Sequence, residues 1–315
     1  MKTKLIDYVK NGPIFITGHV NPDGDALGSA FALKLFLDSQ NIIADVNFDI
    51  TTKLPSNLNH LPYHLISNDL KEKYNTVFVF DCGDSSRLGK YEEVVLAAEN
   101  IVVIDHHVDP SFGDVQIIDP HAASTTQVLF RQLKDENIEI NEEMSNCLLT
   151  GLITDTGRFQ YSNTTSEVFS IAAELLGNGA NLSKISENIY GSIEFNALTL
   201  QSKIIERIVL NEDLKFAHSI VFQNDYKDYQ VEPEETDFLI DVVRLVKEST
   251  VALLIKEQED GSFKGSLRSR GDIDVQKIAS IFGGGGHMAA SGFSSNQSPE
   301  FLSLIHISEP TRQPT

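Results

Sequence analysis

The sequence has little cysteine, a shortage of basic residues and no long apolar run, and each scarcity excludes something. Two cysteines occur in 315 residues, Cys82 and Cys147, each inside an apolar stretch. They supply no disulfide framework and read as buried small hydrophobes in a reducing compartment, which points to the cytoplasm. No stretch approaches the roughly 20 apolar residues that span a bilayer. The N-terminus, Met1-Lys2-Thr3-Lys4-Leu5, lacks a secretory apolar region, so no membrane role is expected. Lys and Arg total 25 against 45 Asp and Glu, a net charge of −20. Such a field repels duplex phosphates, which binders usually meet with a basic stripe. A long nucleic-acid duplex is therefore not an expected partner. Short oligonucleotides, mononucleotides and metal-chelated phosphates stay open, because a local pocket of positive charge overcomes the mean field.

The length leaves room for about two domains of roughly 150 residues each. In the first half, strands are expected over 13–17, 75–81 and 101–105 and a helix over 26–40, an alternation that argues for an α/β fold with a parallel sheet and flanking helices. The runs Val77-Phe78-Val79-Phe80 and Ile101-Val102-Val103-Ile104 are apolar on both faces, as central parallel strands are. Residues 124–196 turn helical. A smaller α/β unit follows: a strand over 216–222, a helix over 234–246, a hairpin of 250–256 and 262–268 around Asp260-Gly261, and a helix over 274–282. The expected division is a first domain over 1–190, a helical connector over 191–211 and a second domain over 212–302. Residues 303–315 fit neither domain. Leu304-Ile305-His306-Ile307-Ser308-Glu309-Pro310-Thr311-Arg312 resembles translated sequencing-adapter read-through, and the segment is set aside as an artefact that replaces the genuine C-terminus.

Chemistry-bearing residues gather where strands are expected to end. Gly18-His19-Val20-Asn21-Pro22-Asp23-Gly24-Asp25 follows one strand and opens a helix, placing an imidazole and two carboxylates on a tight turn. The other two strands end in Asp81 and in Asp105-His106-His107, and Thr154-Asp155-Thr156-Gly157 closes a helical run. Open α/β sheets bind ligands at the carboxyl ends of their strands, and buried carboxylates there are costly unless paired or metal-bound. His19, Asp23, Asp25, Asp81, His106 and Asp155 suit two divalent cations. Oxygen and imidazole donors without thiolate favour Mn²⁺, with Fe²⁺, Zn²⁺ or Mg²⁺ as competitors. In the second unit, Gly283-Gly284-Gly285-Gly286-His287 lets backbone N–H groups approach a phosphate. In a strand, Arg268 and Arg270 share one face and could focus on one anion. Phe159 and Tyr161 read as core packing in preference to base-stacking platforms.

These residues resemble the DHH phosphoesterase superfamily. Residues 18–29 match its first motif, Asp81 the second, Asp105-His106-His107 the motif that names it and Asp155 the fourth. Arg268-Ser269 and residues 283–287 are similar to the C-terminal substrate domain called DHHA1. The likeness covers about residues 1–302, and size and architecture are similar to the bacterial NrnA-like nanoRNase and pAp-phosphatase group. The resemblance implies a two-Mn²⁺ centre, with His19 and Asp23 on one ion, Asp25, His106 and Asp155 on the other, and Asp81 bridging. It implies a metal-activated water, His107 as a catalytic donor at the scissile phosphate and Asp105 orienting the imidazoles. Arg268, Ser269, Gly285, Gly286 and His287 would hold the far end of the substrate. The implied activity is hydrolysis of short RNA oligonucleotides and of 3′-phosphonucleotides such as 3′-phosphoadenosine 5′-phosphate (pAp), with a homodimer as a further expectation. The competing readings are a phosphodiesterase for cyclic dinucleotides or linear pApA and pGpG, and a non-catalytic nucleotide-binding protein.

Overall fold

The apolar runs become five parallel strands in a computed structural model that describes residues 4–299 apart from 11, 52, 108 and 109. They are β1 (Ile14–Gly18), β2 (Ala44–Val46), β3 (Thr76–Phe80), β4 (Asn100–Asp105) and β5 (Val115–Ile118). Their order is β2-β1-β3-β4-β5, and every neighbouring pair is parallel. The chain divides into two units, Met1–Ser192, which holds this sheet, and Ile193–Thr315.

Alternation along the central strands feeds two cores. Ile16, Phe78, Phe80, Val102 and Ile104 enter one, shared with the helices α1 (Gly24–Ser39), α3 (Thr125–Asp135), α4 (Glu142–Asp155), α5 (Ser166–Gly177) and α6 (Leu182–Ser186). Phe15, Val77, Val79 and Val103 enter the other, with Leu88 of the 3₁₀ segment Ser85–Tyr91 and Val95 of the short α2 (Glu92–Leu96). The strand order reverses between β1 and β3, so a crevice is expected outside their carboxyl ends.

Small residues let α1 and α4 pack closely. A Cβ on Gly28 would lie 2.4 Å from the Cys147 carbonyl oxygen and one on Gly24 would lie 2.6 Å from Thr154 Cγ2. The pairing of 24 with 154 and 28 with 147 means the helices run antiparallel. The first turn of α1 and the last turn of α4 thus share one end, which is where Asp25 and Asp155 lie.

The second unit is a six-stranded mixed sheet of order β10-β11-β9-β8-β7-β6. Its strands are β6 (Val209–Asn211), β7 (Phe216–Val221), β8 (Val251–Glu257), β9 (Phe263–Ser269), β10 (Gly285–His287) and β11 (Ala290–Ser295). Only β7 and β8 pair in parallel. One face packs Val251, Leu253, Ile255, Leu267 and Phe293 against α10 (Val275–Ile281). The other packs Ala217, Val221, Ala252 and Leu254 against α7 (Phe195–Glu206), α8 (Gln223–Tyr229) and α9 (Leu239–Arg244).

Two expectations are refined. The single helix over 234–246 is a 3₁₀ turn, Pro233–Thr236, followed by α9; at the break, Asp237 is drawn to Lys256 Nζ at 2.7 Å. The stretch 191–211 carries α7, whose Ala197, Leu200 and Ile204 are buried in the core of the second unit. Among the described residues no helix is long and apolar enough to cross a membrane. Residues 303–315 lie outside the described residues.

Candidate functional site

Each donor in the first unit is set by a strand end or a helix end. His19 follows β1, and its loop is tied down by Val20 N–H to the Arg87 carbonyl at 2.7 Å and Asn21 N–H to that of Asp49 at 2.9 Å. Asp23 caps α1, accepting from the amides of Asp25 at 2.9 Å and Ala26 at 3.1 Å. Asp25, in the first turn of α1, is fully buried and accepts from the amides of Thr125 at 2.5 Å and Thr126 at 2.9 Å. Those amides begin α3, so a second helix N-terminus faces this carboxylate. Asp81, directly after β3, sits at φ +54°, a left-handed conformation that costs a non-glycine residue about 1–2 kcal/mol. Functional sites retain such strain when it aims a side chain. Asp155 is the last residue of α4.

The donors converge in three overlapping groups, of which Asp81 belongs to one with His19 and Asp23 and to another with Asp105, His106 and His107. His19 Nε2 lies 3.5 Å from Asp81 Oδ2 and 3.9 Å from Asp23 Oδ1. His106 Nε2 lies 3.2 Å from Asp155 Oδ2, 3.6 Å from Asp81 Oδ1 and 3.9 Å from Asp25 Oδ2. Two ligands on one divalent cation at about 2.1 Å stand at most roughly 4.2 Å apart, so every one of these separations can straddle an ion. His19, Asp23 and Asp81 form one candidate group, and Asp25, His106 and Asp155 another.

The imidazole tautomers fit ligation. His19 Nδ1 meets the Val20 carbonyl at 2.9 Å and His106 Nδ1 that of Ala122 at 3.2 Å. A carbonyl only accepts, so Nδ1 carries the proton and each Nε2 turns toward the carboxylates. The thiol of Cys82, next to Asp81, donates instead to the Asp84 carbonyl; burial pushes it up to about 12. The donor set is therefore oxygen and nitrogen only.

His107 is held differently. Its Nδ1 lies 2.7 Å from Asp105 Oδ1 and 3.3 Å from Asp81 Oδ1, and its side chain is 21% exposed. The buried Asp105 Oδ1 also accepts from the amides of His106 and His107 at 2.7 and 3.0 Å. Asp105 thus orients the His107 ring directly, whereas the Ala122 carbonyl orients that of His106.

Protonation expresses the crowding of charge. Burial would lower the histidines, but Asp23 and Asp81 hold His19 up at about 10, Asp155, Asp25 and Asp81 hold His106 up at about 11, and Asp105 and Asp81 hold His107 up at about 10. Burial, with Asp155 and Asp81 adding to it, raises Asp25 well above the usual carboxylate range. Burial also lifts Asp155 to about 6 against the pull of His106. Burial is outweighed at Asp81, where His107 and His19 keep the carboxyl well below its ordinary value. Three sheltered carboxylates beside the more exposed Asp23 demand positive charge, which protons or divalent cations supply.

Two parts of this arrangement went unread in the sequence. The α3 amides on Asp25 were foreshadowed by Ser124-Thr125-Thr126-Gln127, a helix-start pattern. Ser124 Oγ does accept from the Gln127 amide at 3.0 Å. The Ala122 carbonyl has no sequence signal. Phe159 packs against the first core and lies 5.4 Å from the ring of Phe169.

In the second unit, Arg268 pairs in register with Ala252 and Ala290, and Gly285 with Gly292. Gly292 pairs in turn with Ser266, so Gly285, Gly292, Ser266 and Arg268 lie on one face of the sheet. Ser269 is not brought there. It is buried on the opposite face beside Val251, and its hydroxyl donates to the Ile273 carbonyl at 2.7 Å. The shared anion expected for Arg268 and Arg270 is corrected: β9 ends at Ser269, and the Arg270 guanidinium donates to the carbonyls of Arg244 and Val246 at the end of α9. Gly286, at φ +136°, has room for no Cβ, which would lie 2.6 Å from the Ala290 carbonyl. His287 pairs in register with Ala290; its side chain lies outside the described residues.

Comparison with known proteins agrees with this geometry. The chain is 33% identical over 290 residues to the bifunctional oligoribonuclease and PAP phosphatase NrnA of Thermus thermophilus, covering 89% of this chain and 83% of the relative. It is 27% identical over 301 residues to the NrnA of Bacillus subtilis that bears the same description, covering 93% of each. The crystal structure of an exopolyphosphatase-related protein from Bacteroides fragilis shares the fold, with a TM-score of 0.86 at 24% identity, over 97% of this chain and 96% of that one. The N-terminal domain of the DHH family matches residues 13–152 and the DHHA1 domain residues 213–307. With its strand-end carboxylates and imidazoles in the first domain and a DHHA1 sheet in the second, the chain belongs to the DHH family.

Proposed function

We propose that this chain hydrolyses phosphate esters of short RNA oligonucleotides and removes the 3′-phosphate of pAp, using two divalent cations for which Mn²⁺ is the best fit. The observation that carries this reading is Asp81, whose two oxygens face different imidazoles, Oδ2 that of His19 and Oδ1 those of His106 and His107. One carboxylate shared by two ligand clusters is the arrangement a two-cation centre requires. The kinds of substrate named for the relatives support the choice of ester.

His19 and Asp23 would hold one cation and Asp25, His106 and Asp155 the other, with Asp81 bridging. When bound, such a pair supplies Lewis-acid charge and a water acidified toward neutral pH. The residues of the chain do the rest. The α3 amides and the Ala122 carbonyl fix the ligands before any substrate arrives. Asp105 holds Nδ1 of His107, so that a protonated ring presents its Nε2–H to a phosphoryl oxygen, a donor worth about 2–4 kcal/mol to developing charge. Arg268, the backbone of Gly285 and Gly286, and His287 take the far end of the substrate, while Ser269 braces the turn beside Arg268. The two cysteines, both buried and free, support a reducing, cytoplasmic setting.

The test is a product time course on a 5′-labelled RNA pentamer with Mn²⁺-loaded protein and pAp as competitor. Shortening of the pentamer, inhibited by pAp, is the expected outcome. Turnover of pGpG or pApA alone would transfer the reading to a dinucleotide phosphodiesterase, and no turnover of any of these would end it.

A further inference from the structure

The sheet face that carries Arg268 holds two more cations that no motif accounts for. Register places Lys256 of β8 directly opposite Lys264 of β9, and Lys264 beside Ser294 of β11. Lys264 is four residues from Arg268, so their side chains leave the same face. Between them, in the row of Ser266, lie Leu254, Gly292 and Gly285. Gly285, Ser294 and Lys264 are exposed, and Ser266, Arg268 and Gly292 are half-buried. The result, on the β9–β11–β10 side of the face, is an exposed to half-buried row of small residues with a cation at each end, bordered by Leu254 of β8, which is fully buried in the helical core.

Two like charges directly opposite each other in a sheet are destabilising unless something offsets them. Lys256 is buried, with 5% of its surface exposed, and its ammonium is paired at 2.7 Å with Asp237. Burial pulls that ammonium below its usual pKa; Asp237 opposes the shift and the facing Lys264 adds to it. Among the described residues no carboxylate pairs with Lys264 or Arg268 within 4.0 Å. Asp237 acts on all three cations and Glu234 on Lys256; in a chain of net charge −20, three cations against two carboxylates are a local exception that favours an anion.

We propose that Lys264, with Lys256 behind it, is a second anion position that takes a backbone phosphate of an oligonucleotide beyond the group held at Arg268. At a rise of about 3.3 Å per residue the two anchors stand about 13 Å apart along β9, a span several nucleotides long in a stacked strand that advances about 3.4 Å per step. A mononucleotide fills one anchor and an oligonucleotide reaches both. Lys264 therefore sets the preference for length. This rests on the substrate class proposed above.

Lys264 is exposed, so Lys264→Gln is expected to fold normally. The experiment measures kcat/KM for a pentaribonucleotide and for pAp at several salt concentrations. It also measures fluorescence-anisotropy binding of the labelled pentamer in EDTA, where no hydrolysis occurs. The expected result is a fall of about five- to tenfold in the pentamer-to-pAp ratio of kcat/KM, since one charge-assisted contact is lost. The salt slope for pentamer binding should fall by about 0.7, one single-strand phosphate contact, and Lys264→Arg should restore both. An unchanged ratio with an unchanged salt slope overturns the proposal, as does absence of pentamer binding to the unmodified protein. If the unmodified protein binds the pentamer with a Lys264-dependent salt slope but cleaves neither substrate, the length anchor stands and the proposed reaction falls.

Discussion

The carboxyl end of the parallel sheet and the exposed β9–β11–β10 border of the mixed sheet solve opposite electrostatic problems. In the first unit, carboxylates are fixed by backbone amides, two of them buried: the exposed Asp23 by the start of α1, the buried Asp25 by the start of α3 and the buried Asp105 by two amides. In the second, Lys264 is exposed and Arg268 half-buried, on a floor of glycine, serine and alanine. The first is held in place by its own backbone amides, as the proposed cation centre needs. In the second, Arg268 donates to the Leu267 carbonyl at 3.0 Å and Lys256 is paired with Asp237, while Lys264 stands exposed at the rim. Preorganisation is strongest where the chemistry happens.

The sharpest way to break this contrast is Asp81→Asn. Loss of the shared carboxylate should reduce turnover about 10³-fold or more, together with bound metal, because both ligand clusters lose a member; turnover and elemental stoichiometry check it. His107→Ala should cost about 10²–10³ in kcat with metal content intact, which separates the substrate-facing imidazole from the ligating ones.

Glycine replacements compare the two regions in stability. A Cβ on Gly151 would stand 2.6 Å from Asp25 Oδ1 and 2.5 Å from Thr126 Cγ2. Gly151→Ala should therefore destabilise by about 1–3 kcal/mol in chemical denaturation. Gly285 meets nothing within 4 Å, so Gly285→Ala should change stability little.

A smaller effect comes from pH in the metal-stripped protein. His19 and His107 sit at about 10 and His106 at about 11, above the roughly 6.5 of an unfolded chain. Raised imidazoles contribute their full stability below about pH 6.5 and lose it as pH climbs through 10–11. Melts of EDTA-treated protein should fall by a few degrees from about pH 6.5 to 10 from this term. The decline should flatten with Mn²⁺ bound, since the cations then replace protons. Identical slopes with and without metal would show that the imidazoles are not ligands.

Much of the first unit was legible because parallel strands buried on both faces read as continuous apolar runs, and the polar residues that end them stand out. Asp81 and Asp105-His106-His107 were conspicuous for that reason. The grouping of donors was also visible, since β-αβ alternation sends strand ends to one edge. What stayed hidden depends on contacts distant in sequence. Residues 25 and 125 meet only because α1 and α3 pack on the same face. Arg270 departs from the strand alternation because it lies one residue past the end of β9, where its guanidinium finds the carbonyls of Arg244 and Val246. Ser269 sits next to Arg268 in sequence, and a strand sends such neighbours to opposite faces. Lys256 and Lys264 are ordinary hairpin lysines until register sets them opposite each other.

The four carboxylates of the proposed centre are unequally sheltered: the Asp23 side chain is 55% exposed, against 5% for Asp81, 0% for Asp25 and 15% for Asp155. If two cations occupy the proposed centre, a chelator should reach them at different rates. The occupant beside His19 should be stripped within the first phase of dialysis and its neighbour much later, so that carelessly handled preparations would carry half their complement and regain full turnover on simple replenishment.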